Sequence, residues 1–141
     1  TTYVQYYTED HAETIKFINL IMSQTDEVYF SIDTSNIEDL RKSKWSFLCD
    51  IAIELVYTRG IMTGRANDGE YLLFVKKNKQ LHNFLLEKKS IFDFDEFDNA
   101  TYIKIENPTF IRNGEVFCYT LSHEKICVIE EKLYDDLMLI I

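Results

Sequence analysis

Apolar positions along this chain change period several times, and each change marks an element boundary. Thr2 to Tyr7 is β-branched and aromatic, which predicts a short strand. Thr8 follows as a helix cap, with Glu9 and Asp10 in a first turn whose positive end favours carboxylates. Ile15, Phe17, Ile18, Leu20, Ile21 and Met22 give that helix a broad apolar face ending near Ser23. Glu27 to Asp33 alternates and predicts a second strand. Ser35-Asn36-Ile37-Glu38 has the form of a capping box. Beyond it Ile37, Leu40, Leu48, Ile51, Ala52 and Leu55 recur at helical spacing. Arg41, Lys42 and Lys44 lie mainly on the opposite face, so the longest helix is predicted here, running to about Tyr57.

The second half reads mostly as hairpins. Arg59 to Arg65 and Glu70 to Val75 flank Ala66-Asn67-Asp68-Gly69, where Asp-Gly in a polar loop signals a turn. The near-continuous apolar run in 70–75 places that strand at the sheet centre. Lys77 to Glu87 is a short helix with Leu81, Phe84 and Leu85 inward. Thr101 to Glu106 alternates, and Pro108 beyond it argues for an edge or a bend. Thr109 to Arg112 and Glu115 to Leu121 flank Asn113-Gly114 as another hairpin, and Lys125 to Ile129 adds a strand. Glu130 to Ile141 reads as a closing helix with a buried end. These elements predict an α+β fold, with mixed α/β as the alternative: a single mixed, largely antiparallel sheet carrying about four helices.

Composition narrows the class. The 141 residues hold no repeat or linker, so 1–141 reads as a single globular domain. Aromatics at 14% against 4 Gly and 1 Pro exclude disorder. No uncharged apolar run approaches the ~20 residues a membrane span requires. A net charge of −9 argues against direct binding of nucleic acid and towards a basic partner. Cys49, Cys118 and Cys127 are too few for a disulfide scaffold and read as buried small hydrophobes. The opening Thr1-Thr2-Tyr3-Val4-Gln5 lacks the basic and apolar regions of a secretory leader, and the cytoplasm is the expected location. Asn99-Ala100-Thr101 fits a glycosylation sequon, a triplet that also arises by chance.

The most unusual stretch is Ile91-Phe92-Asp93-Phe94-Asp95-Glu96-Phe97-Asp98. It fails as a calcium loop: with Asp93 first, the fifth, sixth and twelfth places fall on Phe97, Asp98 and Lys104 instead of an oxygen ligand, Gly and Glu. A Mg²⁺ pair from Asp93 and Asp95 has little to support it. The bland reading is a segment that buries its Phe rings and solvates its carboxylates. The functional reading is a docking surface for a basic protein. There Phe94 and Phe97 supply contact area, while Asp93, Asp95, Glu96 and Asp98 steer and pair with Arg. Glu9, Asp10 and Glu13, like Glu130, Glu131, Asp135 and Asp136, fall near helix starts, where dipole stabilisation accounts for most of them.

Other chemistry is sparse. With a two-residue turn at Ser122-His123, Cys118 and Cys127 face each other, and with His123 they form a partial zinc set that lacks a fourth ligand. A Cys–His nucleophile pair lacks an orienting third group. Gly60 and Gly64 are not followed by GK[ST], and Arg59, Arg65 and Asp68 form at most an anion-binding hairpin. The lysines around 76–89 lack interleaved aromatics for single-stranded nucleic acid. No cofactor is implied. The expectation is a small acidic cytosolic protein that neutralises a basic partner such as a toxin domain, in the manner of an immunity protein. The alternatives are a small enzyme or ligand-binding domain built from dispersed carboxylates or His123/Cys127, and a regulatory or subunit domain of a larger assembly.

Overall fold

A computed structural model of the chain describes residues 1–58, 70–94 and 96–141. In order, the elements are β1 (Tyr3–Gln5), α1 (His11–Gln24), β2 (Glu27–Ile32), α2 (Ile37–Arg41), α3 (Phe47–Asp50), β3 (Ala52–Thr58), β4 (Glu70–Lys76), α4 (Lys79–Leu86), β5 (Glu96–Phe97), β6 (Lys104–Arg112), β7 (Glu115–Leu121), a 3-10 turn (Ser122–Glu124), β8 (Ile126–Glu130) and α5 (Glu131–Met138). The strands form one sheet in the order β1-β8-β7-β6-β2-β4-β3, with β5 on the flank of β6. Every pairing among the described residues is antiparallel. The fold is α+β.

Helices and sheet meet on one face. Phe17, Ile18 and Ile21 of α1, Leu81 and Leu85 of α4 and Leu133 and Leu137 of α5 join one core cluster with Phe30, Val75, Ile105 and Phe117. On the other face Tyr29, Leu72, Phe74 and Ile111 form a second cluster, drawn from strands alone and flanked by Val56 and Val116. Strand β4 therefore buries side chains on both faces, which accounts for its continuous apolar run. It lies second from an edge, however, and the centre belongs to β6 and its neighbours.

Several expectations are corrected. Asp10, not Thr8, caps α1, accepting from the Glu13 N–H at 2.9 Å, while Thr8 Oγ1 accepts from the Asp10 N–H one step earlier. Asn36 rather than Ser35 caps α2, with its side chain on the Glu38 N–H. The long helix to Tyr57 does not form. Ser43 Oγ donates to Leu40 O (2.6 Å) and accepts from the Trp45 N–H (3.1 Å), and such local bonds compete with the helical ladder. The chain restarts as α3 and then extends as β3 against β4. The strand expected over 59–65, the turn at 66–69 and the anion-binding reading of Arg59, Arg65 and Asp68 lie outside the described residues.

Pro108 lies in a central strand, not an edge. Tyr29 faces Thr109 and Ser31 faces Glu106, so Asn107 and Pro108 share the space opposite Phe30 as a bulge, where a missing N–H is tolerated. The end of the closing helix is also not buried: Leu137 is in the core, but Leu139 is 84% exposed and Ile140 and Ile141 are exposed beyond it.

Candidate functional site

The Phe/Asp stretch does not form one face. Phe92 is buried, and Phe94, 3% exposed, packs edge-on against Phe84 at 6.1 Å between ring centroids. Phe94 is therefore a core residue rather than a surface contact. Glu96, in β5, accepts from the Trp45 indole N–H at 3.3 Å and is ion-paired with Lys88, whose ammonium lies over the Phe84 and Phe94 rings. Phe97 is exposed beside Tyr102, with ring centroids 5.9 Å apart. Asp93 is exposed, although one carboxylate oxygen accepts from the Ser90 N–H at 3.1 Å. Asp95 lies outside the described residues.

Asp98 is 6% exposed, and its carboxylate is engaged within the fold. Its carboxylate accepts from the Thr101 hydroxyl, from the Thr101 N–H at 2.8 Å and from the Lys44 N–H at 3.4 Å, tying the β5–β6 connection to the loop before α3. The Thr101 hydroxyl, opposed by burial and helped by these N–H groups, holds its pKa below the usual carboxylate value. A carboxyl depressed in the fold stabilises it above the unfolded value of about 3.9, and that contribution is lost as pH falls through the folded value. Asp98→Asn is expected to lower the melting temperature near pH 7 and to flatten the loss of stability below about pH 4. Superimposable acid limbs for the two proteins would rule this out.

What the fold does bring together is an exposed aromatic and acidic corner. The Tyr7 ring rests on Phe92 at 5.4 Å between centroids and is itself 59% exposed. Lys125, held at φ +53 where it ends the 3-10 turn, places its ammonium 2.7 Å from a Glu9 carboxylate oxygen. Glu9 raises the Lys125 pKa first, and Tyr7 and Asp93 also contribute. Asp93 directly follows Phe92, on which the Tyr7 ring rests. Glu9 is in turn held below its usual value by Lys125 and by the Tyr7 hydroxyl. Asp10 and Glu124, both exposed, adjoin it along the chain. Reading the sequence alone assigns Glu9 and Asp10 to the helix dipole. It misses the corner because the antiparallel pairing of β1 with β8, which brings Glu9 to Lys125, leaves no local signal.

The cysteine and histidine set does not converge. Cys118 faces Ile129 and Cys127 faces Thr120, so the thiols are diagonal neighbours rather than opposite ones, buried with sulfurs 4.0 Å apart. Burial pushes the Cys118 thiol well up, with Cys127 adding to it. His123 is exposed in the 3-10 turn. Among the described residues no three His, Cys, Asp or Glu groups are placed to hold a metal ion.

Dispersed carboxylates do meet in a groove of about 330 Å³ at one end of the sheet, lined by Ser31, Asp33, Glu70, Lys104 and Glu106 among others. Ser31 donates to Glu70 at 3.1 Å there, and Lys104 lies 3.7 Å from Glu106. A second hollow of about 530 Å³ opens between α4 and Trp45, with Gln80, Asn83 and Glu87 on its helical wall. No helix among the described residues is long and apolar enough to cross a membrane. Comparison with protein-family models, with curated proteins and with solved structures gave no match for this chain.

Proposed function

We propose that this chain is a small acidic binding protein that docks and neutralises a basic protein partner, in the manner of an immunity protein or toxin inhibitor. The observation that carries the reading is the exposed corner where the Tyr7 ring rests on Phe92, the residue before Asp93, and where Glu9 pairs with the distant Lys125. An exposed aromatic ring rimmed by carboxylates suits an Arg or Lys side chain: the ring supplies contact area and a cation–π face, and the carboxylates supply charge-assisted hydrogen bonds. The net charge of −9 adds a long-range field that speeds encounter with a cationic surface and disfavours nucleic acid. The cytoplasm is the compartment this reading implies.

The test is affinity capture from native extract at low salt with the wild type and with the triple variant Glu9→Gln, Asp10→Asn, Asp93→Asn. Asn retains an oxygen for the cap of α1 and for the Ser90 N–H, so folding should survive. The wild type is expected to retain a basic protein that elutes as salt rises. The variant should bind it at least about tenfold more weakly and with a shallower salt dependence. Equal affinity and equal salt slope for the two proteins would overturn the reading.

A further inference from the structure

We infer that the exposed rings of Phe97 and Tyr102 form a seat for an arginine side chain of a basic protein partner. The inference rests on the reading of this chain as an acidic binding protein, but it uses residues other than those of the Tyr7–Glu9 corner.

Tyr102 stands where the backbone favours glycine. It lies in the connection from β5 to β6 at φ +61. Asn107 and Asn113 hold similar angles, but Asn tolerates the left-handed region, whereas a bulky aromatic residue there is strained. The turn around Tyr102 is well determined by hydrogen bonds. The Tyr102 N–H donates to the Asp98 carbonyl at 2.7 Å, and the Asp98 N–H donates to the Ile103 carbonyl at 2.8 Å. The Asp98 carboxylate holds the Thr101 and Lys44 N–H groups beneath it. Glycine would close such a turn without strain. The chain instead places there a tyrosine that is 73% exposed, so the ring buries little within the fold to offset the strain. A residue held outward in this way is pre-organised for contact, because little freedom remains to be lost on binding.

Phe97, exposed beside it, supplies a second ring, with centroids 5.9 Å apart and planes inclined at 52°. The local charge selects the occupant. From Ser90 to Ile103 the sequence carries four carboxylates and no Lys or Arg. The nearby cations are matched: Lys88 pairs with Glu96, and Lys104, opposite Phe97 across the ladder, lies 3.7 Å from Glu106. A cation is therefore drawn to this region, and the net charge of −9 draws it from a distance. Arginine suits the rings better than lysine, since its guanidinium is flat, more weakly hydrated and stacks on aromatic faces.

The probe is a synthetic peptide of alternating Arg and Gly, with a twin that carries neutral citrulline in place of Arg. Titration into the wild type at low salt is followed by NMR of the Phe97 and Tyr102 ring signals. The Arg peptide is expected to shift both rings saturably, and the citrulline twin to leave them in place. Tyr102→Leu keeps apolar bulk but removes the ring face. It should weaken the Arg peptide about threefold, with an unchanged salt dependence, while Tyr102→Phe binds as the wild type does. Tyr102→Gly should weaken the peptide similarly and raise the midpoint of thermal unfolding, which separates a strained contact residue from a structural one.

An Arg peptide that fails to bind the wild type, or that binds with both rings unmoved, would overturn this inference alone. The acidic-protein reading fails separately, if native extract yields no basic partner sensitive to the Glu9, Asp10 and Asp93 substitutions. Ring signals that move with protein concentration in the absence of peptide would assign the pair to a second copy of the chain. Equal affinity for Tyr102→Leu and wild type, or a Tyr102→Gly protein less stable than wild type, would likewise overturn the inference.

Discussion

Trp45→Ala is expected to lower the free energy of unfolding by about 3–5 kcal/mol, the range for removing a large buried aromatic. Trp45 is 2% exposed and heads the fully buried side chains by volume, although it lies in an irregular loop between α2 and α3. Its indole N–H meets Glu96, and Glu96 in turn holds Lys88 over two Phe rings. Alanine would thus leave both a cavity and a partly buried carboxylate short of a donor. Trp45→Phe keeps most of the volume and removes the N–H, so its loss should be smaller, about 1–2 kcal/mol. Urea titration of both variants measures the difference. A Trp45→Ala loss under about 1 kcal/mol would mean that the loop collapses to fill the space and pins nothing.

Asn107→Ala should cost about 2–4 kcal/mol, from two sources at a single buried residue. Asn107 holds φ +57, a left-handed conformation that Asn tolerates and Ala resists. Its side-chain oxygen accepts from the Ser122 N–H at 2.7 Å, tying the bulge of β6 to the end of β7. Ala loses that acceptor inside the fold and strains the backbone. Asn107→Gly leaves the N–H equally unpaired but relieves the strain, so it should recover about 1 kcal/mol relative to Ala. Equal losses for Ala and Gly, by thermal or urea unfolding, would remove strain from the account.

These two residues also mark where the sequence stops being readable. Where period and turn chemistry agree, elements are legible. α1, β2 and the β6–β7 hairpin are of this kind, and Asn113 and Gly114 at φ +52 and +79 supply the positive angles its tight turn needs. Between Ile37 and Tyr57 the spacing of apolar residues fits a helix, yet Ile53, Val56, Tyr57 and Thr58 are strand formers, and pairing with β4 decides between the two. Pro108 announces a bend but not that a bulge admits it to a central strand. In the Phe/Asp stretch composition shows neither which rings turn inward nor that Asp98 meets Thr101 and Lys44. The acidic corner was legible only in pieces, because a contact between Glu9 and Lys125 is set by sheet order and not by neighbours in the chain.

The sheet order has a temporal meaning as well. Among the described residues strand β1 pairs only with β8, and the Tyr6 N–H just beyond it donates to the Cys127 carbonyl at 2.9 Å. A ribosome makes β1 long before β8, so this edge of the sheet has no partner until the strands and helices between them have emerged. Closing so long a loop is entropically unfavourable, and folds dominated by such distant pairings reach the native state slowly. Helix α1 has only local backbone bonds to make, but its apolar face is buried only where the sheet is in place. The Glu9–Lys125 ion pair of the acidic corner lies across the same seam and depends on the same distant pairing.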